Sequence, residues 1–119
     1  MKQARNNLEE RMYTWTIQLI QTIDSLSRDM SSGVIAHQLM RSGTSVCANY
    51  TEGKAASSRK DFINYLHIAL KSANESKYWI SLLKDTKKLE TEKAKSLLIE
   101  MGEISNILAA SLITLKNKK

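Results

Sequence analysis

Apolar residues recur at alternating spacings of three and four along four stretches of this 119-residue chain. On an α-helix this spacing holds the apolar side chains within one narrow stripe, so each stretch predicts a helix with a single buried face. The first stripe consists of Leu8, Met12, Trp15, Leu19, Ile23, Leu26 and Met30. Heptad spacing of this kind is typical of helices that pack at about 20° to one another. The pattern therefore predicts four helices around one core.

The composition favours an all-helical fold over the alternatives. The chain has no proline, four glycines and 6% aromatic residues, so the usual markers of β-hairpins and sandwiches are missing. No apolar run reaches the ~18 residues of a membrane span, and residues 1–12 lack the apolar core of a signal peptide. We therefore predict a single-domain, all-α, antiparallel up-and-down four-helix bundle in the cytoplasm, without membrane association.

Small and polar residues between the stripes set the predicted helix boundaries. We expect helices at about residues 7–28, 34–52, 59–87 and 92–115, with a tight connection at 29–33. Gly53 is expected to end the second helix, and Gly43, inside that helix, predicts close approach of a neighbouring backbone.

Caps are predicted for three of the four helices. Asn6 or Asn7 suits the start of the first helix, where Glu9 and Glu10 complement the helix dipole. We expect Ser57 or Ser58 to cap the third helix and Thr91 to cap the fourth.

A polar ridge distinguishes the second helix from a generic amphipathic one. On a helical projection Gln38, Arg41, Ser45, Asn49 and Glu52 share one face. Two interpretations of the ridge remain open. The side chains either bond a neighbouring helix, loop or subunit and fix the packing register, or they contact a ligand.

The third helix carries more apolar surface than one bundle seam needs. Beside its main stripe lies a second line that includes Tyr65, Ile68, Trp79 and Leu82. A helix that is apolar over so much of its circumference also faces another subunit when its own bundle has only four helices. We therefore predict a homo-oligomer in which these four residues lie at the interface, although the aromatic members could instead fill seams or stack bases.

The net charge of +6 and the pI near 9.5 are the only global indication of a partner. A basic balance favours phosphate-rich partners, and it also serves solubility. Lys116, Lys118 and Lys119 follow the last stripe, where cations complement the helix dipole, and we favour that role over a nucleic-acid-binding tail.

Residues for catalysis, cofactors or metals are few. His37 and His67 stand apart and each precedes a cation by four residues, which is a poor arrangement for a metal ligand. Cys47 is the single cysteine, cannot form an internal disulfide, and is interpreted as a small core residue rather than a reactive thiol. No phosphate-binding glycine loop occurs. We predict a protein that is not an enzyme, with no cofactor and no metal site.

Three segments together resemble a known family. They are QLMRSGTSVCANYTEG at 38–53, SRKDF at 58–62 and SANE at 72–75. They resemble the four-helix-bundle family named for proteins encoded within intervening sequences of 23S ribosomal RNA genes, whose signature is Q-[IL]-R-R-[AS]-x-x-S-[IV]-x-x-N-I-A-E-G followed by S-x-x-E-F and S-x-x-E. The chain departs from that signature at Met40, Cys47, Tyr50 and Thr51, where arginine, proline, isoleucine and alanine are usual.

The resemblance implies a ring-like homopentamer with a central channel. It also implies similarity to the accessory proteins of diversity-generating retroelements, which are basic, pentameric, and bind nucleic acid and a reverse transcriptase. The positions that carry the family pattern are Gln38, Arg41, Ser45, Asn49, Glu52, Gly53 and Glu75. The cations expected to contact phosphates of RNA or DNA are Arg41, Lys54, Arg59, Lys60 and Lys71.

Two functional hypotheses remain at the level of sequence. The first is an oligomeric accessory protein that binds nucleic acid, which the charge and the resemblance favour. The second is a scaffold that binds another protein, such as a reverse transcriptase, through the surplus apolar line of the third helix.

Overall fold

The computed structural model describes residues 5–118, and this range folds into four α-helices without a β-strand. Helix α1 spans Asn7–Asp24, α2 Met30–Lys54, α3 Arg59–Asp85 and α4 Thr91–Lys116. Helices α1 and α3 each pack against both α2 and α4. The prediction of a single all-α domain of four helices is therefore confirmed.

The predicted stripes meet in one continuous core. Trp15 is the largest fully buried side chain, and its indole Nε1 donates a hydrogen bond to the Leu97 carbonyl at 3.0 Å. Burial of each large apolar side chain contributes about 1.5–3 kcal/mol, and the satisfied indole avoids the cost of an unpaired buried donor. The other large, fully buried apolar side chains are Met12, Leu19, Leu39, Val46, Leu66, Ile80, Leu83, Met101, Ile104 and Leu108.

The predicted connection at 29–33 is wrong, because Asp29 is the N-cap of α2. Its carboxylate accepts a hydrogen bond from the Ser32 amide at 3.3 Å, and also from the Ser27 hydroxyl and the Lys88 ammonium. The α1–α2 connection is therefore 25–29. Met30 consequently begins α2 and is 87% exposed instead of continuing the α1 stripe.

Two of the predicted caps are present, and two predicted helix limits are wrong. Asn6 forms a reciprocal capping box with Glu9, and the Ser58 hydroxyl accepts from the Asp61 amide at 3.1 Å. Thr91 is instead the first residue of α4, whose N-cap, Glu90, makes no side-chain capping bond. Gly53 does not end α2, because the helix continues through Lys54.

Two glycines allow α2 to approach its neighbours closely. A Cβ at Gly43 would collide with the Leu19 side chain. The atoms that Gly43 makes room for belong to side chains of α1, and not to the neighbouring backbone that the sequence predicted. A Cβ at Gly53 would lie 2.8 Å from Tyr65 Cβ and 3.0 Å from Phe62 Cδ1. The first glycine accommodates α1 and the second accommodates α3.

Helix α4 is more apolar than the sequence prediction allowed. It contains an 18-residue window of mean hydropathy 1.4, which is long and apolar enough by composition alone to cross a membrane. Core helices of bundles pass the same test, and the inner face of α4 buries Met101, Ile104 and Leu108 completely. Only 33% of the window is buried, however, so much of the outer face of α4 is both apolar and exposed.

Candidate nucleic-acid interface

Most of the polar ridge of α2 faces α3. The buried hydroxyls of Ser42 and Ser76 lie 2.9 Å apart, and the Ser72 hydroxyl donates to that of Ser45 at 3.0 Å. The Asn49 amide donates to the Ser45 hydroxyl at 2.7 Å. Each of these hydroxyls has a hydrogen-bond partner, and the bonds across the contact fix the register of α2 on α3.

Arg41 extends this polar contact to the surface. Its guanidinium forms an ion pair with Glu75 and donates to the Gln38 side chain at 3.1 Å. Glu75 also accepts from the Trp79 indole at 3.0 Å. These contacts favour the packing interpretation of the ridge for Gln38, Arg41 and Glu75. Because the Arg41 side chain is more than half exposed, the ion pair contributes at most about 1 kcal/mol.

Glu52 is the exception on the ridge. It is exposed and lines a groove of about 550 Å³ between α1 and α2. Cys47 lies half-buried in the same groove, and burial raises the pKa of its thiol. A thiol with a raised pKa stays protonated at neutral pH, which favours a packing role over a reactive one.

The first turn of α1 contains a buried carboxylate that pairs with Lys54. Glu9 is only 4% exposed, forms an ion pair with Lys54, and accepts from the Thr51 hydroxyl at 3.0 Å. Burial alone would raise the pKa of Glu9, but the bonds from Lys54, Thr51 and the Asn6 amide outweigh it, and the net pKa is lowered. The charge of Lys54 is therefore offset within the protomer.

A contact at the start of α3 gathers cations from two distant parts of the sequence. Arg59 Nη1 donates to the Lys118 carbonyl at 3.1 Å, so the end of α4 lies beside the first turn of α3. We call the exposed cluster Arg59, Lys60, Lys116 and Lys118 the basic end. Within residues 5–118 none of the four forms an ion pair with a carboxylate.

The sequence identified only half of the basic end. Arg59 and Lys60 were expected to contact phosphate, whereas Lys116 and Lys118 were interpreted as partners of the helix dipole. The signal that linked the two pairs was the antiparallel packing expected for α3 and α4, which brings the start of one helix to the end of the other. Lys119, the third of those terminal lysines, lies outside the described residues.

The remaining predicted residues lie on the sides of α3. Lys71 is exposed eleven residues beyond Lys60, about 16 Å along the helix, so the fold does not bring it to the basic end. Ile68 is exposed on the predicted oligomer line. The other three members of that line, Tyr65, Trp79 and Leu82, are half-buried.

The part of the chain that the structure describes contains no group of three or more His, Cys, Asp or Glu side chains able to hold a metal ion. The arrangement can bind anions at an exposed cationic surface.

The fold and this surface define a small helical-bundle protein with a cationic end. Residues 6–110 match the family of 23S rRNA-intervening sequence proteins. The chain belongs to that family, as its motifs indicated.

A solved structure supports the same assignment. It is a protein of unknown function from the S23 ribosomal protein family of Bacteroides thetaiotaomicron, 34% identical in sequence, with a TM-score of 0.83. The match covers 88% of this chain and 97% of that one. None of the curated proteins matches the chain.

Proposed function

We propose that this protein is a non-enzymatic, cytoplasmic, homo-oligomeric accessory protein that binds the phosphates of RNA or DNA through its basic end. The carrying observation is the Arg59–Lys118 contact, which brings together the start of α3 and the end of α4, where the four exposed cations lie. The net charge of +6 provides long-range attraction to the same partner.

Contacts of this kind bind phosphate without reading sequence. The amines and the guanidinium of the basic end would displace condensed counterions from the nucleic acid. Release of these counterions favours binding, so the affinity falls as the salt concentration rises. Since base edges are read by groups inserted in a groove, an exposed cluster of lysines predicts binding that discriminates little between sequences.

Self-assembly would multiply this weak site. We infer that the four helices form an antiparallel up-and-down bundle and that copies of the bundle form a ring-like homo-oligomer. The family resemblance favours a pentamer. The exposed Ile68 of α3 would contact the neighbouring subunit. Several basic ends on one assembly would bind one nucleic acid with an avidity beyond that of a single end.

Neutralisation of the basic end tests the proposal. We would measure fluorescence anisotropy of a labelled duplex and a labelled single strand with the double variant Arg59→Gln/Lys60→Gln. The matched control is Lys93→Gln/Lys95→Gln, which removes the same charge from the start of α4. That site lies at the far end of the 27-residue α3, about 40 Å away.

We expect the first variant to lose at least tenfold in affinity and the control to change it by less than threefold, since each lost phosphate contact removes one released counterion. Equal losses in the two variants would show that only net charge matters and would refute a localised site. Absence of binding by the unaltered protein at low salt would refute the function itself.

A second function is favoured by an aromatic pair on α3, one member of which is exposed. Tyr78 is exposed and packs edge-on against Trp79, with ring centroids 4.9 Å apart. Aromatic side chains of this kind dominate the energetics of protein interfaces, so a protein partner would bind here. Tyr78→Ala would then abolish co-purification of that partner while leaving nucleic-acid binding unchanged.

A further inference from the structure

The last turns of α4 extend beyond the start of α1. The Trp15 indole bonds the Leu97 carbonyl, and Arg11, one turn into α1, forms an ion pair with Glu103 at 2.9 Å. Helix α4 continues from there to Lys116, about 20 Å further, whereas α1 begins only one turn before Arg11. Within residues 5–118, α1 therefore leaves this end of α4 uncovered.

The uncovered stretch of α4 forms one wall of a groove of about 500 Å³, which we call the end groove. The other walls include Tyr50 of α2 with Phe62 and Leu66 of α3, and the rings of Tyr50 and Phe62 meet edge-on with centroids 6.4 Å apart. Ser111 and Thr114 place hydroxyls on the α4 wall. Apolar and aromatic pockets of this size, with a few polar groups, are typical of small-ligand sites. The end groove therefore has the lining and the volume for one aromatic group.

Two walls of the end groove lead to a cation of the basic end. On α3, Arg59 precedes Phe62 by three residues, and both also line a second groove of about 460 Å³. On α4, Lys118 follows Thr114 by four residues, and the helical turn continues to Lys118, whose amide bonds the Leu115 carbonyl at 3.4 Å. Residues three or four apart are neighbours on a helix surface. Among the described residues that line the end groove none is acidic, so the groove is apolar with a cationic mouth.

We propose that the end groove binds an unpaired base of a single-stranded nucleic acid whose neighbouring phosphates contact Arg59 and Lys118. This inference rests on the proposed function and adds the form of nucleic acid that the basic end prefers. A nucleotide carries an aromatic plane with polar edges beside an anion, which is the complement of the groove and its mouth. The bases of a duplex are already stacked and paired, so a duplex can offer the basic end only its phosphates.

Size favours a base over a protein partner in the end groove. The groove follows α4 from Ile107 to Leu115, which is about 12 Å. A standard protein interface buries ~800 Å² per partner, which a groove of this length does not offer on its own. A single base needs far less area, and each base that stacks on an aromatic side chain raises affinity by about fivefold to 150-fold. Because every base has an aromatic face, the preference would depend little on sequence.

Two strands that differ only in their bases test the proposal. Fluorescence anisotropy would compare labelled oligothymidylate with an abasic strand that has the same length and the same number of phosphates. We expect oligothymidylate to bind at least fivefold more tightly, with the same dependence on salt for both strands. Equal affinities would refute the base site and leave the proposed function standing. Absence of binding by both strands at low salt would refute the proposed function and the base site together.

Substitutions in the end groove locate the base. Ala110→Leu fills the groove from an exposed position of α4 without a change of charge, and should lower the affinity for oligothymidylate to that for the abasic strand. Ala48→Leu makes the same change at an exposed alanine in the separate groove between α1 and α2, and should keep the full preference. Phe62→Leu removes the ring but keeps an apolar side chain, and should lower the preference at least threefold.

The affinity for the abasic strand separates loss of the base site from damage to the fold. It depends on the basic end and should stay within twofold in Ala110→Leu and Phe62→Leu. A full preference for oligothymidylate in both variants would show that the base binds elsewhere and would overturn the proposal. Loss of a co-purifying protein in Ala110→Leu, with both strands bound as before, would assign the groove to a protein partner and would overturn it equally.

Discussion

The close approach of α2 to α3 at Gly53 determines whether Gly53→Ala raises or lowers the free energy of unfolding. In a free helix Gly→Ala stabilises by up to about 1 kcal/mol. At Gly53 the new methyl would lie 2.8 Å from Tyr65 Cβ, an atom fixed to the α3 backbone, so the helices themselves must separate. Overpacking of this kind costs about 1–3 kcal/mol. We therefore expect Gly53→Ala to lower the free energy of unfolding by about 1–2 kcal/mol.

Gly33 supplies the control on the same helix. A Cβ at Gly33 meets nothing within 4 Å, so Gly33→Ala should raise the free energy of unfolding by up to about 1 kcal/mol. Urea unfolding at one fixed protein concentration, followed by circular dichroism, measures both variants with a common slope. Stabilisation by both substitutions would show that α2 and α3 are not in the contact described and would refute the packing argument.

Three further predictions concern buried groups. Because folding lowers the pKa of Glu9, its ionised carboxylate stabilises the fold fully above the unfolded pKa of about 4.5, and this stabilisation is lost as the pH falls further. In urea titrations at a series of pH values, Glu9→Gln should therefore reduce the loss of stability at acid pH. The same variant should cost about 1–3 kcal/mol at pH 7, because it leaves Lys54 unpaired. Ser76→Val should cost about 1–3 kcal/mol in thermal unfolding, because it overpacks the seam and removes the partner of the Ser42 hydroxyl. The raised pKa of the Cys47 thiol predicts slower reaction with a disulfide reagent at pH 7 in the folded protein than in urea, and equal rates would contradict its burial.

Helix number and the core were predictable because they depend on periodicity alone. The first stripe, which begins at Leu8, can be recognised as a buried face without any knowledge of its partners. The boundary between α1 and α2 was not predictable in the same way. Met30 continues the α1 spacing, and only the Asp29 carboxylate, which caps α2 and binds Lys88, decides where the first helix has ended.

The candidate site was partly predictable for the same reason. The ridge on α2 was visible as a pattern. Only the packing of the helices shows that the hydroxyls of Ser72 and Ser76 on α3 face those of α2. The basic end joins residues 59–60 to 116–118 across more than fifty positions, which no local pattern reports.

The salt dependence of nucleic-acid binding tests the central claim most directly. Four phosphate contacts predict that the logarithm of the association constant for a duplex falls against the logarithm of salt with a slope of about −3.6, and with a slope of about −1.8 in Arg59→Gln/Lys60→Gln. Equal slopes in the two proteins, or an affinity that does not change with salt, would contradict binding through the basic end.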